Sequence, residues 1–167
     1  MDSAPQPFAF ISQYFWLICL SIGGTNYFMA RRKIDRLISS DEPIRAAARR
    51  YLLVFSVAGA VPWMFMGWAQ LTGAVPTVWY YFRPQDRNPY VLAWLGSLFV
   101  LAVAYAYWVL LRGGARLVKD FHLLGAFGFR NADRLSERLI KLLAAVGPFW
   151  VLLWIYLAAS MDARIPR

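Results

Sequence analysis

With 167 residues, 60% of them apolar and only 16% charged, the chain is too hydrophobic for water, where domains run to about 45–50% apolar residues. Its mean hydropathy is +0.44 and its formal charge is +9. The basic residues cluster between long apolar runs, so the charge reads as membrane orientation and contact with anionic headgroups, and no nucleic-acid partner is expected. A lone cysteine, Cys19, excludes an internal disulfide and reads as a small apolar residue.

Four runs reach the roughly 20 residues that cross about 30 Å of hydrocarbon: Phe8 to Ala30, Tyr51 to Gly73, Tyr90 to Leu111 and Leu139 to Ser160. They predict an all-α membrane protein, a single integral domain with four transmembrane helices in a compact bundle. Helices 1, 2 and 4 are expected to extend into the cytoplasm. The first run lacks a preceding Lys or Arg and a small-residue cleavage site, so it reads as a retained span and not as a signal peptide.

Seven Lys and Arg lie between the first two spans and six between the last two, against two in the segment Ala74 to Pro89 and two after Ser160. This asymmetry places loops one and three in the cytoplasm and both termini outside it, with a bacterial inner membrane as the expected location. Arg31, Arg32, Lys33, Arg49, Arg50, Arg112, Arg116 and Lys119 form the basic rim, expected to meet anionic lipid.

Loop one reads as a helical hairpin. The first helix continues from Arg31 to Ile38, Ser39 and Ser40 interrupt it, and Asp41, Glu42 and Pro43 open the second, acids and an early proline suiting exposed N-terminal amides. In loop two, Trp79, Tyr80, Tyr81 and Phe82 read as interfacial anchors at the headgroup level. Loop three, broken by Gly113, Gly114, Gly125 and Gly128, carries Phe121, Leu123, Leu124, Phe127 and Phe129, and is expected to lie on the membrane surface. Asn131 is expected to cap a last helix beginning near Ala132.

Small and polar residues fall in stripes. Ser12, Cys19, Gly23 and Asn26 share one face of the first span, and Ser56, Ala60, Trp63, Gly67 and Gln70 one face of the second. These are the surfaces along which membrane helices approach closely, whether the neighbour is internal or a partner subunit. Ala93, Gly96, Ser97 and Ala104 make a looser stripe on the third span, and Ala144, Ala145, Gly147 and Pro148 one on the fourth. Pro62 and Pro148 each remove a helical hydrogen bond. The Pro-containing second and fourth spans also admit an ancient duplication of the two halves.

Chemistry is sparse. No acid or base lies near the centre of a span, against the habit of ion-coupled transporters. Lys141 can snorkel to the surface. The one histidine, His122, reads as a headgroup-facing residue, and neither a haem nor a zinc site is expected. Asp133 and Glu137 share a face without further catalytic company, and Gly113-Gly114 lacks the length of a phosphate loop. No cofactor is expected. The preferred reading is a non-catalytic accessory subunit or assembly factor of a larger membrane complex, with other membrane subunits or copies of itself, and lipid, as partners. The alternatives are a small oligomeric transporter or channel, using Asn26 and Gln70, and a lipid-binding or lipid-modifying protein at the cytoplasmic face.

Overall fold

The computed structural model describes residues 6–38, 42–126 and 135–160. Among them all regular structure is helical: α1 (Gln6–Leu37), α2 (Glu42–Leu71), α3 (Pro89–Leu111), α4 (Gly114–Asp120), α5 (Leu123–Ala126) and α6 (Glu137–Ser160), with two 3₁₀ turns, Val78–Phe82 and Pro84–Asp86, between α2 and α3. Three helices, α2, α3 and α6, are long and apolar enough to cross a membrane.

α1 and α2 form one extensively packed pair, α3 and α6 another, and α2 against α3 joins them. The first pair is antiparallel, because Trp16 meets Gly67 near one end and Asp35 meets Arg49 near the other. As expected, α1 runs past Ala30 and α2 begins before Tyr51, so both helices extend beyond their apolar runs. The interruption at Ser39 and Ser40 and the start at Asp41 lie outside the described residues. Pro62 and Pro148 sit inside continuous helices, while Tyr14 in α1 leaves helical torsions (φ −108°, ψ 17°).

The core has two centres. At the basic end Ala30 and Ile34 of α1, with Ile38 just past its end, pack with Ala48 and Leu52 of α2, Val109 of α3, and Ile140 and Ala144 of α6. The third loop completes this cluster, with Ala115, Val118, Leu123 and Ala126 buried in it. The apolar side of the described part of loop three thus faces the other helices. Gly113 takes the left-handed conformation (φ 73°) and turns the chain back under α3. Gly114 then passes against the Trp108 ring, where a Cβ would lie 2.5 Å from ring carbons. The cationic positions Arg112, Arg116 and Lys119 stay exposed.

The last helix also begins later than the sequence predicts. Leu135 and Ser136 are not helical, and the Ser136 hydroxyl accepts a hydrogen bond from the Leu139 N–H at 3.2 Å, capping α6 at Glu137. The described helix therefore extends only through Glu137 and Arg138 ahead of the predicted span. Asn131, Ala132 and Asp133 lie outside the described residues.

At the opposite end, loop two is folded into the second core centre, with Val75, Val78 and Tyr81 beside Met66, Ala69, Val91, Trp94 and Leu95. Three residues per turn place Val78 and Tyr81 on one face of the 3₁₀ turn. So Tyr81, expected among the interfacial anchors, is fully buried. Its ring lies edge-on to Trp94 at 5.0 Å, and its hydroxyl donates to the Met66 carbonyl at 3.4 Å. Burial pushes its pKa up to about 12. Trp79 and Tyr80 are half-buried, and Phe82 is exposed. Asn88 ties the loop down, accepting from the Tyr90 N–H at 3.0 Å and donating to the Ala74 carbonyl at 3.1 Å.

Candidate functional site

The two stripes of small and polar residues expected to form a packing face do meet, but they divide by depth. Near loop two the helices close on each other. Ser12 is buried, and Gly67 admits the Trp16 ring so tightly that a Cβ there would lie 2.5 Å from Cε3 and 2.6 Å from Cδ2. Phe15 lies edge-on to Trp63 at 6.1 Å. With its amide nitrogen toward α1, Gln70 donates to the Gln13 carbonyl at 2.7 Å and accepts from the Val78 N–H at 3.0 Å. It is thereby a cross-brace between α1, α2 and loop two, satisfying backbone groups that are costly to leave unpaired.

Toward the basic end the same helices part. A groove of about 410 Å³ opens between them, lined on α1 by Cys19, Gly23, Gly24, Asn26 and Tyr27 and on α2 by Ser56, Gly59, Ala60 and Trp63, with Leu20, Leu53, Phe55 and Val57 completing the wall. A Cβ added at Gly23, Gly24 or Gly59 would meet nothing within 4 Å. These glycines therefore do not serve a close approach within the chain; they widen the groove. The Ser56 hydroxyl oxygen is shut away from solvent with no hydrogen-bond partner.

The groove ends in charge. Arg49 donates from Nε to Asp35 Oδ1 at 2.7 Å, joining the two helices. That hydrogen bond, with the charges of Arg49, Arg31 and Arg45, holds the Asp35 carboxyl below the usual carboxylate range against the opposing effect of burial. Arg45 also pairs with Glu42. Arg31, Arg32, Lys33 and Arg50 are exposed around this end.

No known family, curated protein or solved structure matches the chain. Among the described residues no three His, Cys, Asp or Glu side chains gather as a metal site would require. His122 takes a left-handed conformation (φ 51°) in the turn between α4 and α5.

Of the predicted face, Cys19, Gly23, Asn26, Ser56, Ala60 and Trp63 line the groove, whereas Ser12, Gly67 and Gln70 belong to the closed end. Sequence reasoning missed Gly24 and Gly59, which lie beside the predicted stripes, and Trp16, whose ring selects glycine at position 67. It also missed the specific partnership of Asp35 with Arg49, fourteen positions away. The hairpin reading contains its signal, since residues flanking a helical turn face one another.

Proposed function

We propose that the chain crosses the bilayer four times and works as a non-catalytic accessory subunit or assembly factor of a larger integral membrane complex. The fourth crossing helix in this reading is α1. Its outward surface carries Phe10, Ile11, Leu17, Ile18, Ile22, Phe28 and Met29, all exposed, and an apolar surface of this length suits hydrocarbon better than water. Its polar Ser12 is buried, and the basic run starts only at Arg31. In this arrangement the basic end faces the cytoplasm, both termini lie outside it, and a bacterial inner membrane is the setting.

The subunit reading is carried by the outer face of α3. Val91, Trp94, Leu95, Ala106 and Val109 point into the core. Ala93, Gly96, Val100, Ala104 and Tyr107 are exposed, at spacings of three, four, four and three that align them on one side of the helix. A Cβ at Gly96 would meet nothing within 4 Å. The small residues Ala93, Gly96 and Ala104 in this seam, offered to lipid rather than to a neighbour in the chain, make a surface on which a foreign helix can pack closely.

Photocrosslinking in native membranes tests the reading, from a benzophenone maleimide attached to Gly96→Cys in a Cys19→Ala background. A stoichiometric adduct with another membrane polypeptide, absent for cysteine at buried Val91, is the expected result. A chain that stays uncrosslinked at Gly96 and monomeric in mild detergent contradicts it.

A further inference from the structure

The groove between α1 and α2 occupies only part of the helix pair. From Leu53 to Trp63 it follows α2 for ten residues, about 15 Å at 1.5 Å per residue, and past Trp63 the packing of Trp16 on Gly67 closes the pair. That length is half of the roughly 30 Å hydrocarbon thickness, the depth of one leaflet. A partner helix would lie along both leaflets, whereas a lipid chain fills one. The volume of about 410 Å³ falls among the roughly 300–1,000 Å³ typical of ligand-sized sites. Gly23, Gly24 and Gly59 supply the width by leaving the wall without side chains.

Charge complementarity identifies the occupant. Arg31 follows Gly24 by seven positions, and Arg49 precedes Ser56 by seven. Each arginine is therefore two helical turns, about 10 Å, beyond a groove-lining residue on the same helix face. Arg31, Arg45 and Arg49 all act on the one carboxylate of Asp35, and Glu42 answers Arg45. Three guanidinium groups against two carboxylates leave the mouth positive. Tyr27, which lines the groove, also packs against the buried cluster of Ala30, Ile34, Ala48 and Leu52 at the basic end, so the apolar channel runs up to the charged end of the helix pair. Arg49 gives its Nε to Asp35, and a guanidinium has five N–H donors, enough to engage a phosphate as well.

We propose that this groove is a lipid-binding site, holding one acyl chain of an anionic glycerophospholipid from the leaflet at the basic end, with the phosphate on Arg31 and Arg49. The inference rests on the reading of α1 as a membrane-crossing helix; it does not depend on the subunit role.

The experiment titrates the full-length protein, purified and delipidated in mild detergent, with phosphatidylglycerol and with phosphatidylcholine of identical chains, counting bound lipids by native mass spectrometry. One tightly held phosphatidylglycerol per chain is expected, preferred over phosphatidylcholine by roughly thirtyfold for two engaged basic groups. Arg31→Gln, on an exposed position, lowers that preference roughly fivefold. Gly59→Leu fills the groove and abolishes the tight site for both lipids; Gly24→Leu repeats the test from the facing wall, should the first variant fail to fold.

Equal affinity for the two lipids, or undiminished binding by folded Gly59→Leu or Gly24→Leu, overturns the proposal. So does an Arg31→Gln protein with unchanged selectivity. Reaction of Cys19 with a water-soluble maleimide in native vesicles separates the two levels of inference. A reactive Cys19 removes the crossing of α1, and the lipid site with it. An unreactive Cys19 combined with no lipid selectivity removes the lipid site and leaves the crossing intact.

Discussion

Two glycines eight residues apart on α2 should respond in opposite directions to the same added methyl group. A Cβ at Gly67 would stand 2.5, 2.6 and 3.1 Å from Cε3, Cδ2 and Cζ3 of Trp16, where carbon pairs prefer about 3.5–4.0 Å. The ring would have to retreat by roughly 1 Å within a cluster that also holds Phe15, Trp63 and Trp94. Overpacking of this kind costs about 1–3 kcal/mol. At Gly59 the new methyl meets nothing within 4 Å, so only the backbone effect remains, a gain of up to about 1 kcal/mol for alanine over glycine inside a helix. The backbone effect is common to both sites and cancels in their comparison. Gly67→Ala should therefore be about 1–3 kcal/mol less stable than Gly59→Ala, measured by denaturant titration in mild micelles with tryptophan fluorescence as the readout. Equal stabilities would refute the contrast between a closed and an open half of the α1–α2 interface.

Three further outcomes follow from the polar braces. Asp35 has a lowered pKa, first through its hydrogen bond from Arg49, so its stabilisation is present above the ordinary carboxylate range and is lost as pH falls through its lower folded value. Acid titration should loosen the α1–α2 pair only at low pH, and Asp35→Asn should flatten that acid limb. Gln70→Leu leaves the Gln13 carbonyl and the Val78 N–H without their partner and should destabilise by about 1–3 kcal/mol, with hydrogen exchange rising at Val78. Tyr81, raised to about 12 by burial, stabilises fully below the unfolded tyrosine value of about 10 and loses that contribution between there and pH 12. Tyr81→Phe should remove this alkaline transition from the unfolding profile.

Apolar periodicity and length made α2, α3 and α6 legible in the sequence, because a run such as Pro89–Leu111 has nowhere stable to fold but hydrocarbon or a protein core. The hairpin extension was legible too: nothing between Arg31 and Leu37 breaks a helix, and Glu42-Pro43 suits a helix start. The loops were not. Which side of an amphipathic stretch such as Gly114–Ala126 packs on the protein depends on the space left by other helices, here filled by Ala115, Val118 and Leu123. Tyr81 misleads for the same reason: its ring suits a headgroup belt or a buried aromatic cluster equally, and the 3₁₀ turn decides. The late start of α6 turned on Ser136 capping its first turn.

The groove was half legible. Stripes of small residues mark where helices can approach, but periodicity reports direction and not distance. At Gly67 the missing side chain makes room for Trp16, while at Gly23, Gly24 and Gly59 it leaves space unfilled. The same residue type thus serves closure and opening on one interface, and three-dimensional neighbours alone distinguish the two.

The subunit role is tested most directly by native mass determination after gentle extraction from the native membrane, comparing the unaltered protein with Gly96→Phe. A complex containing a stoichiometric membrane partner, lost on placing the bulky ring at Gly96 while the protein itself remains folded, is the predicted result. A lone folded chain in both cases, or a partner retained unchanged by Gly96→Phe, would contradict the account.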